Sequence, residues 1–190
     1  DAQVKIRRNK NEQYLIEDVS IIVALNKEQD TNFSLYDMSD FTDHNMLNFL
    51  GQYPKEILTF LDPSIETFSC EPTEKKVDIR LKFYEKEELT LNSPLALNRY
   101  LSSGTIKGLS VFMGAVFSFL EGGYLIVDEL ENHFNKEIVS TLIRFFMDKK
   151  VNKKGATLIF STHYSELLDE FERNDSIYIT KNKDGITAEK

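Results

Sequence analysis

The sequence predicts an α/β fold built on a parallel sheet, and two observations carry that prediction. From residue 101 onward, helical and strand-like periods alternate as helix, strand, helix, strand, helix, strand, which is the rhythm of parallel strands joined by helical crossovers. The two clearest strands of that run, residues 124–127 and 156–160, are short and almost wholly apolar, as suits strands covered on both faces. Residues 1–100 have a different, α+β rhythm of strand hairpins and short helices, so the chain divides at about residue 100.

In order along the chain, apolar runs in 4–23 flank the polar cluster 7–13 and read as strand, turn, strand. Residues 30–43 are polar and read as a loop. Residues 45–61 have helical spacing broken at Pro54, which predicts two short helices. Val77, Ile79, Leu81 and Phe83 alternate with polar residues as a half-buried strand, and 85–88 turns it into a partner carrying Leu89 and Leu91. Beyond residue 100, 106–120 reads as a largely buried helix stopped by Gly122-Gly123. Its apolar stretch, 109–120, is too short to span a bilayer. Asn135 can cap a helix running to Asp148, with an apolar stripe of Ile138, Val139, Leu142, Ile143, Phe145 and Phe146. Residues 164–171 read as a short helix and 177–179 as a third strand of the parallel sheet.

Composition bounds the function classes. The chain has 190 residues, enough for one real core, with 41% apolar and 28% charged residues, the balance of an ordinary globular protein. A formal net charge of −8 argues against a large nucleic-acid-binding face within this segment. Cys70 is the only cysteine, so an intrachain disulfide is excluded and a reducing, cytoplasmic setting is expected, with the thiol serving as a small core hydrophobe.

Three short segments carry chemistry. In a parallel sheet ligands sit beyond the carboxyl ends of the strands. The strand 124–127 ends there in Asp128-Glu129, where nucleotide hydrolysis needs one carboxylate to help hold Mg²⁺ and a second to orient and deprotonate water. The strand 156–160 ends in Ser161-Thr162-His163, from which a histidine can reach the γ-phosphate of a bound nucleotide. Leu101-Ser102-Ser103-Gly104-Thr105 precedes the buried helix, and small hydroxyl residues with a glycine at a helix N-terminus form an anion site. Each segment taken singly also has an ordinary reading: exposed acids at a strand end, a surface histidine, and a simple N-cap.

Order and spacing bind the three together. Ser-Ser-Gly-Thr, buried helix, apolar strand, Asp-Glu, helix, apolar strand and Ser-Thr-His resemble the C-terminal half of ABC-class ATPase heads: signature loop, Walker B with its catalytic glutamate, and switch-histidine loop. The resemblance covers about residues 101–180. Thr105 after the signature glycine, and Glu131-Asn132-His133-Phe134 after Walker B, look most like SMC-like bacterial AAA-domain ATPases, including those of abortive-infection and overcoming-lysogenization-defect type systems. The implied fold is a P-loop-NTPase-like half-domain. The implied roles are Mg²⁺ positioning for Asp128, general base for Glu129 and γ-phosphate contact for His163. Ser103, Gly104 and Thr105 would meet ATP held by the opposite subunit of a head-to-tail homodimer, with Asn132 and His133 near the seam.

A Walker A loop needs Gly-x-x-x-x-Gly-Lys-Ser/Thr, and none of the eight glycines here is followed by lysine. The expectation is that residue 1 falls after that loop in a longer gene product, so this segment alone binds ATP weakly and hydrolyses essentially none. A degenerate ATPase is the alternative account of the missing loop. Three functional readings stand beside one another. The first is part of an ATPase coupled to a conformational output in phage defence or DNA handling, with nucleic acid or an effector protein as further partner and no membrane. The second is a non-hydrolysing module that docks a P-loop-bearing partner. The third, an acid-metal nuclease using Asp128, Glu129 and Glu131, lacks carboxylates from further strand ends.

Overall fold

The structure, a computed structural model, describes residues 3–6, 33–74, 76–171, 176–182 and 186–189. Its strands are β1 (Gln3–Ile6), β2 (Phe33–Met38), β3 (Gly51–Gln52), β4 (Ile65–Pro72), β5 (Val77–Phe83), β6 (Leu89–Leu91), β7 (Tyr124–Val127), β8 (Thr157–Phe160), β9 (Ile179–Asn182) and β10 (Ile186–Glu189). The α-helices are α1 (Lys55–Leu61), α2 (Ser103–Glu121) and α3 (Lys136–Met147), with single 3-10 turns at Asn45–Asn48, Pro94–Arg99 and Ser165–Glu170.

One sheet has the order β1-β2-β7-β8, in which β2, β7 and β8 run parallel and β1 is antiparallel to β2. A second, antiparallel sheet has the order β3-β4-β5-β6. The fold is therefore mixed α/β, as the alternating rhythm of the second half predicts. The two short helices expected around Pro54 are a 3-10 turn and α1, with β3 between them. The hairpin expected at 77–91 is β5 and β6.

Three departures from the sequence reading have physical causes. Residues 30–43 do not form only a loop, because β2 lies within them and is the strand beside β7. Its inward residues Ser34, Tyr36 and Met38 are buried, while Asp37 turns outward to accept bonds from the Ser39 hydroxyl and amide, so interleaved polar letters conceal a core strand. Residues 177–179 do not supply a third strand to the parallel sheet. β9 pairs antiparallel with β10 instead, and its Thr180, Lys181 and Asn182 are too polar for a strand covered on both faces. β4 was covered by no expectation. It buries Ile65, Phe68 and Cys70, and burial pushes the Cys70 thiol up to about 12 although the Tyr53 hydroxyl works the other way. The expected strand in 14–23 lies outside the described residues, and β1 accounts only for the start of that region.

α2 is the shared element. It packs on β2 and β7 and also against α1. It is 19 residues long and by length and composition could cross a membrane, but 67% of its most apolar window is buried inside the protein, which makes it a core helix here. The helix starts at Ser103, earlier than its apolar stretch suggests. Gly114 lets it lie close to the sheet, since a Cβ there would meet Met38 at 2.9 Å and Leu125 at 3.0 Å. Tyr36, Phe49 and Phe117 cluster alongside, with ring centroids 5.5–6.2 Å apart and Phe49 stacked on Phe117. β8 meets α3, which Asn135 caps by accepting from the Ile138 amide at 2.9 Å, and Phe146 of α3 lies 4.6 Å from Phe119 of α2, ring centroid to centroid.

The link from α2 to β7 is two glycines with separate duties. Gly122 closes the helix in the left-handed region at φ 75°, donating its amide to Ser118 at 2.8 Å. Gly123 brings its backbone against β2, where a Cβ would stand 2.2 Å from the Ser34 carbonyl oxygen. Gly123→Ala should therefore destabilise the protein by about 1–3 kcal/mol through forced separation of β2 and β7, measured as a lowered urea midpoint. An unchanged midpoint would show that the two strands do not hold this close approach.

Candidate functional site

β7 and β8 are in parallel register with Val127 opposite Phe160, so both chains leave the sheet at the same edge. One exit is Asp128-Glu129 and the other Ser161-Thr162-His163. Backbone bonds staple them: Ser161 N donates to Val127 O at 3.2 Å, and Leu130 N donates to Ser161 O at 3.0 Å. The Ser161 hydroxyl completes the join, donating to Asp128 Oδ1 while accepting from Glu129 N at 2.8 Å. Glu129 and His163 then face each other, with Oε1 and Nε2 3.6 Å apart on exposed side chains. Asn132 Nδ2 reaches Glu129 Oε2 at 3.4 Å.

The loop after β7 holds two non-glycine residues in the left-handed region, Glu129 at φ 43° and His133 at φ 69°. Such residues cost roughly 1–3 kcal/mol each unless their surroundings hold them. Two tight bonds do so here, Asn132 N to Glu129 O and Phe134 N to Glu131 O, both 2.9 Å. Glu131 is only 7% exposed and accepts from the His163 amide through Oε1 at 2.7 Å, which ties this loop to the β8 exit. Burial acts to raise the Glu131 pKa. The His163 amide, the Thr162 hydroxyl, its own backbone and the His163 ring outweigh that effect and hold the carboxyl below its ordinary range.

The start of α2 presses on the same loop. Ser102 is the N-cap, accepting from Thr105 N at 3.0 Å, and its hydroxyl lies 2.8 Å from that of Thr105. Ser103 Oγ is 3.2 Å from His133 Nδ1. Gly104 is indispensable here, because a Cβ would stand 2.5 Å from the His133 carbonyl oxygen. The structure thus brings Asp128, Glu129, Asn132 and His163 together at the sheet edge. It sets Ser103 and Gly104 against His133 beside that group, and buries Thr105 at 5% exposure with its hydroxyl in the cap.

Beneath the loop lies a cavity of about 220 Å³ lined by Ser39, Phe41, Lys107, Asp128, Glu129, Asn132 and His133. A wider hollow of about 350 Å³ at the end of β2, lined by Asp37, Asp40 and His44 among others, adjoins it through Ser39. Sequence reasoning gave no role of its own to Ser39, Phe41, Lys107 or Ser161, and Glu131 figured there as a nuclease ligand and within the Glu131-Asn132-His133-Phe134 run. Lys107 carried a signal, a charged residue inside a run otherwise fit for a buried helix; a lone serine after a strand carries none.

Among the described residues no three His, Cys, Asp or Glu side chains converge to hold a metal ion. Asp128, already oriented by Ser161, fits the other mode, in which Mg²⁺ takes one or two carboxylates and completes its shell with water and phosphate oxygens. Nothing at this edge reproduces the glycine-lysine cradle for β- and γ-phosphates, since the sequence lacks that dipeptide.

A family model described as "AAA domain, putative AbiEii toxin, Type IV TA system" matches residues 4–169, a span that contains every residue of this site. No curated protein matches the chain.

Because the folded pKa of Glu131 is depressed, its stabilising contribution is present above the ordinary carboxylate value and is lost as pH falls through the depressed one. Acidifying from neutral pH through and below the ordinary carboxylate range should therefore expose the His163 amide, seen by NMR as a shift of its resonance and faster exchange. Glu131→Gln should flatten that pH response. An unchanged response in the variant would mean that Glu131 does not anchor the loop.

Proposed function

The chain belongs to this AAA-domain family, an ATPase family linked to AbiEii-type and type IV toxin–antitoxin systems, and from that premise we propose that it is the signature, Walker B and switch-histidine part of an ABC-type, SMC-like ATPase head. The observation that carries the proposal is the shared exit of β7 and β8, which sets Asp128, Glu129 and His163 on one edge with Glu129 and His163 3.6 Å apart. ATP with Mg²⁺ supplies the scissile phosphate and the charge that polarises it. Asp128, turned by Ser161, positions the metal; Glu129 orients the attacking water and takes its proton; His163 meets the γ-phosphate oxygens. Ser103 and Gly104, at the exposed start of α2, face the nucleotide of the opposite subunit in a head-to-tail homodimer, with Thr105 holding the cap behind them and Asn132 at the seam.

The phosphate cradle comes from a P-loop half upstream in the same protein. Among the described residues β8 has a strand neighbour on one side only, and Ile159 on it is 48% exposed. A further parallel strand would pair that open edge, and its crossover helix would cover the exposed face of β8. The proposed setting is cytoplasmic, and the proposed output is a conformational change in phage defence or DNA handling. One observation favours a second reading, a non-hydrolysing module that docks a P-loop-bearing partner: the chain contains no Gly-Lys dipeptide.

The full-length protein should turn over ATP, and Glu129→Gln should lower turnover about 10²- to 10⁴-fold while ATP-dependent dimerisation persists. ATP turnover by phosphate release, with mass by light scattering, reads both. Absence of turnover and of an ATP-dependent dimer in the unsubstituted protein would refute the ATPase reading and leave the docking module.

A further inference from the structure

Lys107 sits on α2 where a hydrophobic residue would serve packing better. It is only 2% exposed, among buried neighbours Ile106, Gly108 and Leu109. A buried ammonium needs specific partners, and these are on hand. Nζ donates to the Glu129 backbone oxygen at 2.8 Å and lies 5.4 Å from the Phe134 ring centroid and 5.9 Å from that of Phe41. Burial lowers its pKa from the ordinary lysine range, while the charges of Glu131, Glu129 and Asp128 work to retain the proton.

That one directional bond falls on the strained residue of the site. Glu129 is left-handed at φ 43°, and both ends of its peptide frame are held: its N–H by the Ser161 hydroxyl, its carbonyl by Asn132 N and Lys107 Nζ. Of those three partners, Ser161 belongs to the β8 exit and Asn132 to the loop itself. Lys107 alone comes from α2. It also lies four residues, about one helical turn, after Ser103, so the two share a face; Ser103 touches His133 and Lys107 touches Glu129. A small movement at the start of α2 is therefore felt at both ends of the loop at once.

We propose that Lys107 is a positioning residue that fixes the backbone of Glu129 from within α2 and so couples the Ser103-Gly104 end of that helix to the Glu129 carboxylate in the same chain. The proposal rests on the ATPase reading. It makes alignment of the general base depend on the helix whose tip meets the partner's nucleotide, so that head engagement and water activation are linked by one buried bond rather than by contact between Ser103 and Glu129.

The test is steady-state ATP turnover by the full-length protein with Lys107→Met and Lys107→Arg, beside thermal melting and ATP-dependent dimerisation. Lys107→Met keeps the length and loses the donor. It should lower kcat by at least about ten-fold with KM for ATP within about three-fold, an unlowered melting temperature and an intact ATP-dependent dimer. Lys107→Arg, which restores a charged donor, should recover part of kcat. A folded Lys107→Met protein with kcat within about two-fold of the unsubstituted one, or one whose only change is a lower melting temperature, overturns the proposal. If Lys107→Met does not fold, Lys107→Gln is judged by the same criteria. Absence of turnover in the unsubstituted protein refutes the ATPase reading and this proposal together, whereas normal turnover that ignores Lys107 refutes this proposal alone.

Discussion

The parallel register that sets Val127 opposite Phe160 is the constraint on which the site depends. Side chains at two strand ends can cooperate only if the chains leave the sheet level with each other, and this pairing makes them do so. The Ser161 hydroxyl then converts proximity into orientation, because it accepts from the Glu129 amide and donates to the Asp128 carboxylate. A shift of one residue in β8 would move Ser161 and His163 out of reach and turn the inward faces of the strand outward.

α2 backs the same sheet at β2 and β7. Gly114 admits the helix to Met38 and Leu125, and Gly123 admits β7 to β2. The same helix delivers Ser103, Gly104 and Lys107 to the loop that follows β7, so one rigid element serves both the core and the site. The loop itself is held against its own preferences. Glu129 and His133 occupy left-handed backbone that glycine would adopt more readily, and the bonds to Asn132, Ser161 and Lys107 offset that cost. Local strain maintained by a well-packed surround is typical of residues that must point in one direction.

Much of this was legible in the sequence, for identifiable reasons. β7 and β8 announce themselves as apolar runs, α3 by the cap at Asn135 and its apolar stripe, and α2 by its length and its double-glycine stop. Asp128, Glu129 and His163 could be placed at one edge because each closely follows an apolar strand and the order of the segments joins them. β2 was not legible, since Ser34 and Asp37 break its apolar character and Asp37 satisfies itself locally with Ser39. Residues 177–179 misled because three apolar or aromatic letters suggested a core strand, while the residues that follow make a polar hairpin. Lys107 and Ser161 were missed for a shared reason. A single hydrophilic letter reads as solvated unless the three-dimensional partners are in view, here a backbone carbonyl for Lys107 and a carboxylate and a backbone amide for Ser161.

In the proposed ATPase, catalysis is split between two heads, with Glu129 from one and Ser103-Gly104 from the other serving one nucleotide. Mixing two inactive full-length proteins, Glu129→Gln and Ser103→Arg, tests it most directly. In a mixed dimer both lesions fall in one site and the other site is intact, so ATP turnover should return on mixing. If the mixture stays as inactive as either protein alone while mixed dimers form, the two segments do not meet across a shared site and the account is wrong.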